Sequence, residues 1–247
     1  MLEDAGGMVV STTWEDHTAE LRDLNAWIHI DPARTAVVTI DMHRGHLGAD
    51  EATMPVTREV SERVLAAAES FLSFARDKRI PVIHVILTWR PNEAYAFNPR
   101  LEAARMIFSN VSPQTKALAA GTLHNIAGSR QCELMPQIGP VEGDFIVNTK
   151  KTLSIFRGTE LEVLLGTYLK AVDTLILMGI NTNTCVQCAA FESLNRDFKV
   201  IVLEDCVGSM YGEDMHVAAL QNIARCLGWV ITSEDVKKKI SQSAKGE

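Results

Sequence analysis

The chain has 247 residues, a hydrophobic fraction of 47% and a formal net charge of −7 at pH 7. Its length suits one large α/β domain or two small ones, and its hydrophobic fraction is ordinary for a globular protein with a full core. The acidic balance disfavours nucleic acid as a partner, because phosphate contacts need a basic face. No apolar run approaches the length of about 18 residues that crosses a bilayer, so we expect no membrane contact.

The N-terminus and the cysteines bear on the cellular compartment. The opening segment, MLEDAGGMVV, is acidic and lacks the basic and apolar regions of a signal peptide. Five cysteines, an odd number spread through the chain, indicate a reducing environment rather than a disulfide framework. We therefore expect a cytoplasmic protein.

Apolar segments and helical periods alternate along the chain. This alternation predicts an α/β fold in which helices cover both faces of a parallel sheet. We assign residues 1–32 to an N-terminal arm and 33–247 to a single domain. The long irregular stretch 91–140 is a candidate lid or subunit contact. The predicted strands cover 35–41, 81–87, 144–148, 175–178, 200–203 and 229–232, and the predicted helices cover 57–78, 159–169 and 214–227, with a further helix beginning near 185.

Cys185 is the leading candidate nucleophile. It follows the apolar strand 175–178, Gly179 and a polar turn, at the point where a helix is predicted to begin. Backbone N–H groups and the positive end of a helix favour a thiolate there, which predicts a lowered pKa and a reactive sulfur. The alternative is a small buried cysteine, which is common in protein cores.

Cys185 and Cys188 also form a C-x-x-C pair, which suggests a redox dithiol. That interpretation fits a thioredoxin-like domain in which the pair follows the first strand, whereas here it follows the fourth. A structural zinc site needs four ligands, and no second close pair of cysteines exists. We therefore expect Cys188 to be a core residue of the helix, and Cys132, Cys206 and Cys226 to be structural.

The segment after the first predicted strand reads DMHRGH, residues 41–46. His43 and His46 beside the Asp41 carboxylate suggest a metal site, with His84 as a further ligand. His84 lies in an apolar strand, however, where a hydrogen-bonded core histidine is the more common outcome. We therefore expect no metal, and we expect His43 or His46 to line a pocket. Asp41 is either a turn residue or a functional carboxylate at the edge of the core.

Three motifs together resemble the isochorismatase-like superfamily of cysteine hydrolases. They are IDM at 40–42, GD…K…S-x-F-x-GT-x-L at 143–161 and GINTNTCV at 179–186. The superfamily includes nicotinamidase, N-carbamoylsarcosine amidase, biuret hydrolase and ureidoacrylate amidohydrolase. The resemblance implies a three-layer sandwich with a doubly wound, mainly parallel sheet, and a catalytic triad of Asp41, Lys150 and Cys185. It also implies a cis peptide bond between Ile180 and Asn181, with an oxyanion bound by N–H groups near Asn181 and Cys185.

Two departures from the family pattern affect the site. Many members read DMQ-x-DF after the first strand, where this chain reads DMHRGHL, so the pocket wall must differ. The triad lysine falls one residue later than expected, and we choose Lys150 over Lys151 because its spacing to the downstream S-x-F-x-GT segment is preserved. Arg90 is a candidate partner for a substrate carboxylate. The predicted substrate-binding residues are His43, His46, Trp89, Arg90, Phe156 and Tyr211.

These features predict a cysteine amidohydrolase that cleaves a small carboxamide, carbamoyl or ureido C–N bond through a thioester. The resemblance implies no organic cofactor and a homo-oligomer, either a dimer or a tetramer. One alternative is hydrolysis of a vinyl ether, but the relatives with that activity lack the nucleophilic cysteine. The others are a C-x-x-C redox protein and a binding protein without catalytic activity.

Overall fold

The computed structural model describes residues 15–49, 51–93 and 124–243. Its centre is a sheet of six parallel strands in the order β3-β2-β1-β4-β5-β6. This arrangement confirms the predicted α/β class. The strands are β1 (Thr35–Ile40), β2 (Val82–Leu87), β3 (Phe145–Lys150), β4 (Thr174–Ile180), β5 (Lys199–Gly208) and β6 (Trp229–Ile231).

Helices lie before, between and after the strands. Short 3-10 turns occur at Asn25–Trp27, Pro32–Arg34 and Arg130–Cys132, and π-helical turns at Leu164–Tyr168 and Thr182–Val186. In the part of the chain that is described, the helices are α1 (Thr18–Leu24), α2 (Arg44–Leu47), α3 (Arg58–Asp77), α4 (Leu161–Val163), α5 (Gln187–Leu194), α6 (Glu213–Cys226) and α7 (Ser233–Ser243).

The sheet separates two hydrophobic cores, because successive side chains of a strand point to opposite faces. Val37 of β1 joins the core beneath α3 and α7, together with Phe71 and Ile240. Its neighbour Val38 joins the other core, beneath α4, α5 and α6, with residues such as Leu161. The molecule is thus a three-layer sandwich, as predicted. Both strand faces are buried, which explains why β1 and β4 are apolar without alternation.

The strand order reverses between β1 and β4. The chain runs outward from β1 through β2 to β3, then returns to β4 on the other side of β1. Open α/β sheets bind ligands at the carboxyl ends of the strands at such a reversal. Gly179 permits the close approach of the two strands there: its φ is +135°, and a Cβ atom would stand 2.0 Å from the carbonyl oxygen of Ile40.

Some predicted boundaries were wrong. The third strand runs to Lys150 instead of ending at 148, and the predicted helix 159–169 is a three-residue helix followed by a π-helical turn. The predicted helix at Cys185 begins only at Gln187, and α1 and α7 were not predicted. Much of the irregular stretch 91–140 lies outside the described residues. Within those described, the helices fall short of the length and apolarity needed to cross a membrane.

Part of the predicted N-terminal arm contacts the far edge of the sheet. The Asn25 side chain donates to the Val230 carbonyl at 2.8 Å. Arg225 of α6 donates to the Glu15 carbonyl at 2.7 Å. Residues 15–27 therefore lie against α6 and β6, on the side of the sheet away from β1.

Candidate active site

Asp41 lies immediately after β1 at the reversal of the strand order. Its backbone is in the left-handed region, with φ of 53°, and its side chain is fully buried. The Leu87 N–H at the end of β2 donates to Asp41 Oδ1 at 2.7 Å. The carboxylate is therefore fixed by the neighbouring strand, with Oδ2 available for a second partner. It is a buried polar group rather than a surface turn residue.

Lys150 supplies that second partner from the end of β3. Its ammonium Nζ lies 2.6 Å from Asp41 Oδ2 and 3.4 Å from Cys185 Sγ, and the side chain is fully buried. Burial opposes the charged ammonium, but Asp41 and Cys185 outweigh it and hold the pKa of Lys150 above its ordinary value. Lys151 points elsewhere: its Nζ donates to the Thr88 carbonyl and to Glu93.

Cys185 lies in the π-helical turn between β4 and α5 and is only 6% exposed. Burial raises the pKa of its thiol; Lys150 lowers it, Asp41 raises it, and the net shift is upward. The prediction of a lowered pKa was therefore wrong. A helix end and one cation do not offset desolvation at this depth. The sulfur nevertheless contacts the Lys150 ammonium, a cation that favours the thiolate once the proton leaves.

The Ile180–Asn181 peptide bond, which follows β4 and precedes the Cys185 turn, is cis. The carbonyl of Asn181 accepts N–H bonds from Thr184 and Val186, at 3.2 and 3.1 Å. Its side-chain Oδ1 accepts the Met210 N–H at 2.8 Å. These contacts anchor the turn that carries Cys185 to the segment following β5.

His43 and His46 lie together, and a third histidine joins them. One ring nitrogen each of His43, His46 and His124 lies within 4.8 Å of the other two. Asn125 Nδ2 lies 2.6 Å from His43 Nε2 and donates to the Leu87 carbonyl at 2.9 Å. Burial, together with the charges of His46 and Lys150, holds the pKa of His43 well below its ordinary value. This histidine cluster adjoins Asp41, because His43 Nε2 lies 4.0 Å from Asp41 Oδ1.

His84 does not belong to this cluster. Its Nδ1 lies 2.7 Å from Thr39 Oγ1 and its Nε2 lies 3.0 Å from Asp144 Oδ2. Arg76 pairs with the same carboxylate at 2.8 Å. Burial raises the pKa of Asp144, but its bonds from Arg76, the Val141 N–H and His84 hold it below the ordinary 3.8. His84 is thus a hydrogen-bonded core residue, the outcome that its apolar strand favours, and it lies outside the histidine cluster.

The other predicted pocket residues differ in how near they lie to this cluster. Trp89 is half-buried, and its backbone N–H donates to the Asn125 carbonyl at 2.8 Å. Arg90 is exposed, and its Nη1 lies 3.8 Å from Glu93 Oε1. This position on the surface disfavours the predicted role in binding a substrate carboxylate. Tyr211 is half-buried beside the first core, after β5.

Phe156 belongs to the second core. The Arg196 guanidinium lies 4.1 Å from the centroid of its ring, so packing accounts for this residue. Its predicted place in the pocket wall stays a prediction, because the same core also contains Cys185. Conversely, His124 and Asn125 were missed, because they fall in the irregular stretch, where no periodicity or motif distinguishes them.

The fold is a doubly wound α/β sandwich. The side chains of Asp41, Lys150 and Cys185 bring a carboxylate, an ammonium and a thiol together in a buried site at the reversal of its strand order. A family model of the isochorismatase domain matches residues 35–235, and the chain belongs to this family. The predicted superfamily is therefore confirmed.

Named relatives extend over most of the chain. Ureidoacrylate amidohydrolase RutB of Methylobacterium radiotolerans is 29% identical over 213 residues, which are 82% of this chain and 78% of that protein. Maleamate amidohydrolase of Pseudomonas putida is 26% identical over 214 residues, 85% of this chain and 89% of that protein. The crystal structure of a cysteine hydrolase from Pseudomonas syringae pv. phaseolicola has a TM-score of 0.71 at 23% identity, covering 87% of this chain and 96% of that one. The last comparison supports the fold, and the first two agree with the predicted hydrolase class.

Proposed function

We propose that this protein is a cysteine amidohydrolase that cleaves the C–N bond of a small carboxamide, carbamoyl or ureido compound through a thioester. The observation that carries the proposal is the position of Lys150, whose ammonium contacts both Asp41 and Cys185 in a buried site. Two amidohydrolases among the relatives support the same class of reaction.

The first half of the reaction acylates Cys185. Burial raises the pKa of the Cys185 thiol, so the thiol proton moves to Asp41 as the sulfur attacks the substrate carbonyl. Lys150 stabilises the developing thiolate, and backbone N–H groups near Asn181 and Cys185 bind the oxyanion. When the tetrahedral intermediate collapses, the C–N bond breaks and Asp41 returns the proton to the departing ammonia or amine.

The second half restores the enzyme. Asp41, again a carboxylate, accepts a proton from water, and the hydroxide adds to the thioester carbonyl. Collapse of that intermediate breaks the C–S bond and releases the acid, and Asp41 gives its proton to the sulfur. Each proton taken up is thus returned, and the cycle consumes one water for each C–N bond that it cleaves.

A dithiol redox function has less support. Burial, with Glu192 and Cys185 adding to it, raises the pKa of Cys188 to about 11. The pKa of Cys185 is raised as well, whereas a redox dithiol needs one thiol with a lowered pKa. Vinyl ether hydrolysis is disfavoured by the presence of Cys185, since the relatives with that activity lack the cysteine.

An ammonia-release screen over small amides, carbamoyl amino acids and ureido compounds tests the proposal. With an active compound in hand, Cys185→Ala and Asp41→Asn should abolish turnover, whereas Cys188→Ala should keep most of it. Acid quenching during turnover should trap an acyl group on Cys185, detectable as an added mass on its peptide. Turnover that persists in Cys185→Ala, or that disappears only in Cys188→Ala, would overturn the assignment.

A further inference from the structure

Glu192 connects α5, the helix that follows Cys185, with the segment that follows Lys150. Its Oε1 accepts the Ser154 hydroxyl at 2.5 Å, and its Oε2 accepts the Ile155 N–H at 3.2 Å. We propose that Glu192 is a positioning residue of the triad, which sets the distance between the Lys150 ammonium and the Cys185 sulfur. Its effect on turnover rests on the proposed function, whereas its effect on the sulfur can be measured without substrate.

Lys150 ends a strand that has a neighbour on one side. In the part of the sheet that is described, β3 pairs with β2 alone, whereas β1 and β4 each lie between two strands. The Thr88 N–H, after β2, donates to the Lys150 carbonyl at 3.0 Å. The backbone of Lys150 is thus held from the β2 side, and the path of the chain beyond it depends on contacts outside the sheet.

Ser154 links the Glu192 carboxylate to a turn of the backbone. Its hydroxyl oxygen accepts the Arg157 N–H at 2.7 Å and the Phe156 N–H at 3.2 Å, while its proton is donated to Glu192. A serine hydroxyl has one proton and two lone pairs, so all of its bonding capacity is used here. The side chain of Ser154 is buried, and the carboxylate therefore holds the chain at a defined place.

A second contact from beyond the end of α5 holds the same segment. The Arg196 guanidinium lies 4.1 Å from the centroid of the Phe156 ring, and its Nη1 donates to the Glu192 carbonyl at 3.1 Å. Phe156 and Cys185 belong to the same buried core. Glu192 and Arg196 thus hold residues 154–156 against this helix.

The contact at Glu192 can reach the reacting groups because the connections are short. The helix α5 begins at Gln187, two residues after Cys185. Ser154 follows Lys150 by four residues. A misplacement of about 1 Å at the reacting groups can cost about 10²-fold in rate. Release of the segment from the helix should therefore lower turnover although Glu192 itself does not touch the reacting atoms.

Two competing explanations make different predictions for the Cys185 thiol. If the contact only stabilises the fold, its removal leaves the pKa of Cys185 unchanged. If Glu192 acts only through its charge, removal of this anion lowers the pKa of the thiol. Positioning predicts the opposite sign, because separation of the sulfur from the Lys150 cation raises that pKa further.

The pH dependence of Cys185 alkylation by iodoacetamide, followed by peptide mass mapping, tests the proposal. Glu192→Ala and Ser154→Ala remove the contact from either side, and we expect each to move the midpoint upward by about 1 pH unit. The double variant should shift no further than the larger single one, because both changes remove the same contact. The control Glu234→Ala removes an exposed acid from α7, on the other face of the sheet, and should leave the midpoint unchanged.

Turnover of an active amide gives a second readout. In Glu192→Ala, kcat should fall about 10- to 100-fold with KM nearly unchanged. The fall should be smaller in Glu192→Gln, whose amide oxygen still accepts one of the two hydrogen bonds.

Urea unfolding verifies that each variant is folded, and Glu192→Gln replaces Glu192→Ala in both assays if the latter is not. An unchanged or lower midpoint in a folded variant of Glu192 or Ser154 overturns the proposal, as does an unchanged kcat. If the midpoint rises as expected but the wild type hydrolyses no amide, the positioning role stands and the proposed function fails.

Discussion

Replacing Lys150 by Met tests the buried charge pair most directly. Met keeps an unbranched side chain of similar length and removes the ammonium that contacts Asp41 and Cys185. The Asp41 carboxylate then keeps the N–H bond from Leu87 but loses its counter-charge. The matched control is Lys151→Met, which removes the adjacent ammonium from the ion pair with Glu93.

The two variants should differ sharply in stability. Removing one partner of a buried ion pair costs about 3–5 kcal/mol of unfolding free energy, because the remaining charge is uncompensated. Both members of the Lys150–Asp41 pair are fully buried, so Lys150→Met should fall in this range. The side chains of Lys151 and Glu93 are 33% and 31% exposed, and Lys151→Met should cost about 0–1 kcal/mol after solvent screening.

The turnover of Lys150→Met should also differ from that of Lys151→Met. Loss of a preorganised charge in a water-excluded site costs about 10²–10³-fold in turnover, and we expect this for Lys150→Met alone. Urea unfolding at pH 7 provides the assay for stability. Equal stability of the two variants, or full turnover in Lys150→Met, would refute this reasoning.

Three other predictions follow from burial, backbone geometry and charge. Iodoacetamide should modify the exposed Cys226 before the buried Cys185. Because the pKa of Cys185 is raised, its modification should be slow at neutral pH and faster as pH rises. Peptide mass mapping over time checks the order. Gly179→Ala should lower the free energy of unfolding, measured in urea, by about 3 kcal/mol or more, because the new Cβ meets a β1 carbonyl at a positive φ. The control Gly166→Ala, with open space around the new Cβ, should be nearly neutral. Asp144→Asn should lower the free energy of unfolding by about 1–3 kcal/mol at pH 7. That cost should fade as pH drops below 3.8 through the lowered pKa of Asp144, because the wild-type carboxylate then loses its charge too.

The strands were predictable because a strand buried on both faces is a continuous apolar run, as β1 and β4 are. Lys150 was harder, since residue type argues against a buried lysine and only the spacing of a downstream motif selected it over Lys151. The raised pKa of Cys185 could not be predicted from the sequence, because the depth of burial depends on packing between distant segments. His124 is recognisable only once the fold brings it to His43.

The proposed triad is assembled from segments far apart in the sequence. Asp41 and Lys150 are separated by 109 residues, and Lys150 and Cys185 by 35. Contacts between such distant segments form slowly, since the closure entropy of long loops opposes them. A chain that ends before β4 contains Asp41 and Lys150 but lacks Cys185. The three side chains can therefore meet only after the central strands have paired, and recovery of their contacts on refolding reports the whole sheet rather than any one helix.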